Sequence, residues 1–148
     1  MDAAIDAVRV AGTPDGPAPV VLLSVEGETD LLPIFVGFDQ AVDIARGMEA
    51  VDIGRPLTHD LLLDVVEELG GRVERVVVDE VREGTYVADL HLATPRGEAV
   101  VDARPSDALA LASRTGAPIE VAPGVYESGR GERAAFDHLD TIQEVAEL

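Results

Sequence analysis

The sequence predicts a single α+β domain, a mixed sheet of about six or seven strands with three or four helices packed on it. Three observations lead there. The chain is 148 residues long and 47% hydrophobic, enough for one domain with a real core. Apolar residues alternate, or run unbroken for a few positions, in segments bounded by Gly, Pro and Asp, as strands do. Among them lie two stretches with helical spacing, each opened by an Arg-Pro dipeptide, Arg55-Pro56 and Arg104-Pro105.

Taken in order, residues 3–12 and 19–26 read as strands joined by the loop Gly12-Thr13-Pro14-Asp15-Gly16-Pro17. Leu31 to Phe38 is a third, continuously apolar strand, which something must cover. Asp39 can cap a helix running to about Ala50, with Ala41, Ile44, Ala45 and Met48 inward. After Gly54 and the first Arg-Pro turn, a helix over 59–69 is expected, with Thr58 as N-cap and His59 and Asp60 in its first turn. Leu62, Val66 and Leu69 make its apolar stripe, widened by Leu61 and Val65, while Asp64, Glu67 and Glu68 face water. Three strands follow: 73–81, 86–93 with Tyr86, Ala88, Leu90 and Leu92 on one face, and 98–103. Their hairpin turns are at Glu83-Gly84 and Pro95-Arg96-Gly97. The segment DARPSDALALASRTGAPI, residues 102–119, then predicts a helix over 105–115. Pro105 presets its first turn, Ser106 is the N-cap and Gly116 is the stop. A short strand over 119–121, a polar linker over 128–133 and a small helix over 136–145 complete the reading. Residues 1–128 form the principal domain and 129–148 a C-terminal extension.

The charge balance restricts function. There are 29 acids against 11 bases, a net charge of −18, and every base is an arginine. A lysine-free, strongly acidic chain with regular apolar periodicity points to a halophilic cytoplasm, because ~1 M salt screens charges beyond about 3 Å. No basic run exists to release counterions from a nucleic-acid backbone, and no aromatic platform is recognisable. Any nucleic-acid site must therefore gather a few arginines in space. The absence of cysteine excludes disulfides and thiolate metal sites. No apolar run approaches the roughly 20 residues of a membrane-spanning helix, and no signal pattern opens the chain. Glycine-rich phosphate loops, nucleophile elbows and zinc spacings are absent as well.

The chemistry-bearing residues gather at the two Arg-Pro helix starts. Free N–H groups there favour anions, so Arg55 and Arg104 either neutralise a phosphate or fix their own turns. Thr58 and Ser106 are the neighbouring hydroxyls. His59 is the natural acid or base near neutrality, or else an N-terminal residue that packs. Asp102 and Asp107 flank the second turn. Either they hold a divalent cation through hard oxygen ligands, or Asp107 serves the helix dipole and Asp102 pairs with Arg104. His91 faces solvent on its strand, and His138 lies in the C-terminal segment.

The order LPIFVG (32–37), RPLTHDLL (55–62) and DARPSDALALA (102–112), followed by Ala117-Pro118-Ile119, resembles the bifunctional nuclease domain family over roughly residues 5–128. With the acidic composition, it suggests a haloarchaeal member. The resemblance implies a nuclease that hydrolyses phosphodiester bonds in RNA and/or DNA. It assigns His59, Asp60, Arg104 and Asp107 to catalysis and Arg55, Thr58 and Ser106 to substrate. Asp60, Asp102 and Asp107 would be the ligands of Mg or Mn. Where the family has Gly-x-x-Glu-Ala, this chain has Gly37-Phe38-Asp39-Gln40-Ala41. Gln40 cannot ionise, so a carboxylate role there falls to Asp39 or to nothing. The alternative is a non-catalytic module that binds an anion or a partner. A homodimer covering the apolar strand 31–38 is the expected assembly.

Overall fold

The computed structural model describes residues 1–50 and 54–146. Its strands are β1 (Asp2–Thr13), β2 (Gly16–Val25), β3 (Leu31–Phe35), β4 (Arg72–Arg82), β5 (Thr85–Thr94), β6 (Gly97–Ala103), β7 (Ile119–Val121) and β8 (Asp140–Thr141). Its helices are α1 (Phe38–Glu49), α2 (Thr58–Glu68), α3 (Pro105–Thr115), α4 (Pro123–Gly129) and α5 (Ile142–Ala146). They form an α+β domain on one mixed sheet of order β3-β2-β1-β7-β4-β5-β6, with β8 pairing β1. The β4–β7 pair is parallel and the other pairs are antiparallel.

Sequence alternation decides which face each strand buries. Val21, Leu23, Leu32, Ile34, Val76, Val78 and Ala88 meet α1 and α3 in the main core, where Ala41, Ile44, Ala45, Leu109 and Leu111 are fully or almost fully buried. Val20, Leu22 and Leu31 point to the opposite face and are covered by Phe136 and Leu139. The cover that the apolar strand demanded therefore comes from the chain's own C-terminal segment, and the strand itself ends at Phe35. Ile142 joins the main core, so the described part of 129–148 packs on the same body.

Helix α1 approaches α3 closely at Gly47, where a Cβ would run into the Ser113 and Arg114 side chains. That contact brings Arg114 within reach of α1. The Glu83-Gly84 hairpin has positive φ at both residues, 49° and 77°, the backbone of a two-residue turn that matches strand twist.

The N-caps lie earlier than expected, by one residue in α2 and by two in α3 and in α1, where Gly37 rather than Asp39 is the cap. Pro105 occupies N1, where its missing N–H costs nothing, so Arg104 rather than Ser106 is the N-cap and Ser106 is buried in the first turn. In α2 the Asp60 carboxylate accepts the Leu57 N–H at 2.9 Å, which makes Leu57 the N-cap in place of Thr58. The stripe of α2 is also not buried. Leu61, Leu62, Val65 and Leu69 are exposed, while Leu63 packs on the core. Met48 likewise lies exposed at the end of α1. In the C-terminal region, Pro123 starts an unexpected helix α4 that buries Val125 and Tyr126. The expected linker instead bridges back through Gly131 to Leu31 and leads into a 3-10 turn at Arg133–Ala135, and within the expected 136–145 helix β8 comes first and helix α5 begins only at Ile142.

Candidate functional site

Three helices converge on His59. Asp60, by accepting the Leu57 N–H, fixes the first turn of α2 and sets the imidazole between α1 and α3. Its Nδ1 pairs with Asp43 Oδ2 of α1. Its Nε2 lies 2.9 Å from Asp107 Oδ1 of α3. Ionised carboxylates only accept, so a ring nitrogen that carries a proton donates to the carboxylate it faces.

Each carboxylate is itself held by an arginine. Arg104 reaches Asp107 with Nε at 2.8 Å and Nη2 at 3.2 Å. Arg114, with its side chain only 8% exposed, bridges Asp43 at 2.5 Å and Asp60 at 2.7 Å and also donates to the Ala110 carbonyl at 3.0 Å. The result is a continuous chain of pairs: Arg104, Asp107, His59, Asp43, Arg114, Asp60. The Arg104 guanidinium, and after it the His59 ring, hold the Asp107 carboxyl below its ordinary value. Burial pushes the Asp60 carboxyl up, but the Leu57 N–H and Arg114 together outweigh it and hold that group low.

A cleft of about 440 Å³ opens over this chain, lined by Phe38, Asp39, Gln40, Val42, Asp43, Arg46, Leu57, Thr58, His59, Arg104 and Asp107. An adjoining hollow of about 350 Å³ shares Gln40 and Arg104 and includes Ser106. Gln40 Oε1 accepts the Gly37 N–H at 2.7 Å, an N3 side chain closing the start of α1 as a glutamate also would. Asp39 lines the cleft with no ion-pair partner among the described residues.

Of the residues singled out from sequence, His59, Arg104 and Asp107 come together and Thr58 lies beside them. Asp60 supports the group through Arg114 and Leu57. Arg55 does not join it: it is exposed on the turn before α2 and makes no ion pair among the described residues. Asp102 does not join it either. It sits on β6 opposite Asp89, and its charge acts on Arg82. A strand residue and an N-terminal helical residue on either side of a Pro turn point apart, so five positions of sequence do not make a ligand pair. Sequence reasoning missed Asp43, Arg46 and Arg114. The signal for two of them was present, since Asp39, Asp43 and Arg46 follow at intervals of four and three along one face of α1. Arg114 reads from sequence only as a last-turn cation favoured by the dipole.

As arranged, the donor set does not fit a resident divalent cation. Both oxygens of Asp43 and of Asp107 are engaged by His59 and arginines. Among the described residues no three His, Asp or Glu side chains converge in ligating geometry.

A family model for the bifunctional nuclease domain matches residues 20–132. The chain belongs to this family. The uncharacterized protein Rv1829 of Mycobacterium tuberculosis is 40% identical over 107 residues, covering 72% of this chain and 63% of that protein. Bifunctional nuclease 2 of Oryza sativa subsp. japonica is 32% identical over 110 residues, 71% of this chain and 34% of that protein. Bifunctional nuclease 2 of Arabidopsis thaliana is 34% identical over 105 residues, 69% and 32% respectively. The chain thus spans less than two thirds of the mycobacterial relative and about a third of the plant ones. The match takes in β3, α1, α2 and α3, the elements that build the cleft. Among the described residues no helix is long and apolar enough to cross a membrane.

Proposed function

We propose that this chain hydrolyses phosphodiester bonds in RNA and/or DNA at the cleft over His59. The observation that carries the reading is His59 held between Asp43 and Asp107 with Arg104 on the outer carboxylate, all lining one cleft. Arg104 is 68% exposed and can exchange Asp107 for a substrate phosphate, where it offsets the charge gained at phosphorus. That exchange frees an Asp107 oxygen to take a proton from the attacking water. Water oxygen bonds to phosphorus, the P–O bond to the leaving group breaks, and His59 Nε2 returns a proton to the leaving oxygen. Asp43, braced by Arg114, keeps the ring oriented throughout, as a buried carboxylate does for a catalytic histidine. The plant relatives named bifunctional nucleases support the reaction class.

Adaptation to a high-salt cytoplasm is a separate part of this reading and rests on the net charge of −18 without lysine. A dimer would have available to it the exposed leucines of α2 and Phe35 at the end of β3, whose Leu31, Leu32 and Ile34 are already buried.

The test is cleavage of fluorescent single-stranded RNA and DNA in concentrated KCl, with magnesium, manganese or EDTA. Wild type is compared with Arg104→Ala, Asp107→Asn and His59→Asn, and folding is checked by circular dichroism. Each variant is expected to lose 10²-fold or more, the scale of one transition-state donor or acid–base group. Equal cutting by all four, or none by a folded wild type, replaces this reading with the anion-binding module. Cutting abolished by EDTA would show that the reaction needs a divalent cation, which the carboxylates as paired here do not hold.

A further inference from the structure

Most of the 11 arginines are committed. Arg72, Arg75, Arg82, Arg104, Arg114, Arg130 and Arg133 pair with acids, and Arg9 donates to the Leu139 carbonyl. Arg46, Arg55 and Arg96 carry no ion pair or side-chain hydrogen bond among the described residues. Arg55 and Arg96 are exposed at turns, but Arg46 is half-buried and lines the cleft with His59. Its neighbouring acids along α1 are Asp43, both of whose oxygens are taken by Arg114 and His59, and the exposed Glu49, which accepts from Gln143 Nε2 at 3.3 Å. In a chain carrying 29 acids, a half-buried guanidinium left without a carboxylate is a group that an anion from outside can pair. Helical spacing puts Arg46 on the Asp39–Asp43 face, one turn beyond the carboxylate that holds His59.

We infer that Arg46 is the substrate's docking cation, gripping the non-bridging oxygens of a phosphodiester while Arg104 is still occupied by Asp107. The inference rests on the nuclease reading of the cleft and gives that site an order of events: Arg46 binds the strand, then the strand's phosphate draws Arg104 from Asp107. It also relieves Arg55 of the phosphate role that sequence suggested.

Two measurements test it, and they separate it from the reaction itself. In the His59→Asn background, binding of a fluorescein-labelled oligothymidylate is followed by anisotropy across a KCl series, with and without Arg46→Ala. Arg96→Ala removes the same charge far from the cleft and serves as control. Arg46→Ala is expected to weaken binding about ten-fold or more, the scale of a charge-assisted hydrogen bond, and to flatten the log–log salt slope by roughly 0.7. Arg96→Ala is expected to change neither appreciably. With His59 intact, Arg46→Ala is expected to raise KM while leaving kcat within about two-fold, the signature of lost uniform binding. Equal effects of Arg46→Ala and Arg96→Ala, or no binding by the parent, overturn the inference. A wild type that binds through Arg46 but does not cut leaves the docking cation standing and removes the nuclease reading.

Discussion

At the scale of the residue, the decisive side chain is Arg114, which no motif announced. It ties Asp43 of α1 and Asp60 of α2 to α3, and His59 stands beside one and in contact with the other. Removing it leaves carboxylates facing one another without their cation. Arg114→Met is expected to cost on the order of 2–4 kcal/mol by urea unfolding, below the upper range for a broken buried pair because Asp60 is 40% exposed. Arg114→Lys keeps the charge but not the fork. It is expected to stay folded while kcat falls at least ten-fold with KM little changed; an unchanged kcat would remove Arg114 from the support of His59. The carboxyls themselves predict an acid limb. Asp107 and Asp60 sit below the ordinary value of 3.8 when folded, so their contribution is complete above about pH 4 and is lost as pH falls through the folded values. Stability measured from pH 5 downward should therefore fall less steeply in Asp107→Asn than in wild type, and identical slopes would refute the linkage.

At the scale of the element, periodicity located the sheet and helices α1 and α3 because each buries a face wide enough to show in sequence, and α2 because its apolar stripe shows there although it stays exposed. Tyr86, Ala88, Leu90 and Leu92 share one face as read, and Ala41, Ile44 and Ala45 point inward as read. What escaped was short or set by other elements. Helix α4 has 7 residues, too few for a period, and the two residues of β8 exist only because β1 offers an edge. The cap positions slipped because Pro105 and Asp60 decide them from inside the helix. The site was legible in part for the same reason. His59, Arg104 and Asp107 lie at helix starts that sequence marks, whereas Asp43 and Arg114 lie mid-helix and at a helix end, and only tertiary packing aims them. Helix α2 is the element most dependent on its start, since none of its residues is fully buried and an 11-residue helix is marginal alone. Asp60→Ala removes both the Leu57 contact and the Arg114 pair. It is expected to lower global stability by about 1–2 kcal/mol, as a lost cap does, and to raise amide exchange in α2 above that of α1. Uniform exchange across both helices would show that packing rather than the cap holds α2.

At the scale of the whole molecule, charge and core pull against each other. The core is complete within the described residues, with the C-terminal segment sealing the second face through Phe136 and Leu139 and adding Ile142 to the main core, so hydrophobic burial does not by itself demand salt. The net charge of −18 is where a dependence on salt would arise. Eleven arginines are too few to pair 29 acids, and several pairs are surface contacts that contribute little. Self-repulsion then acts over about 10 Å at 0.1 M salt and about 3 Å at 1 M. Screening relieves it in the folded chain more than in the expanded one, because folding brings the acids closer together. The thermal midpoint should thus climb between 0.1 and 1 M KCl, by roughly 3–5 °C for each kcal/mol of repulsion removed in a chain of this size. Neutralising substitutions such as Glu67→Gln and Glu68→Gln on the exposed side of α2 should reproduce part of the rise at low salt and shrink the remaining salt response. A midpoint that stays flat across that range, or that rises equally with and without those substitutions, would mean that the acidic surface is tolerated rather than matched to salt. The same screening weakens attraction between Arg46 and a phosphate, so a strand bound in concentrated KCl must be held by short-range contacts inside the cleft. The half-buried Arg46, lining the cleft beside Phe38 and Val42, is placed for such contacts.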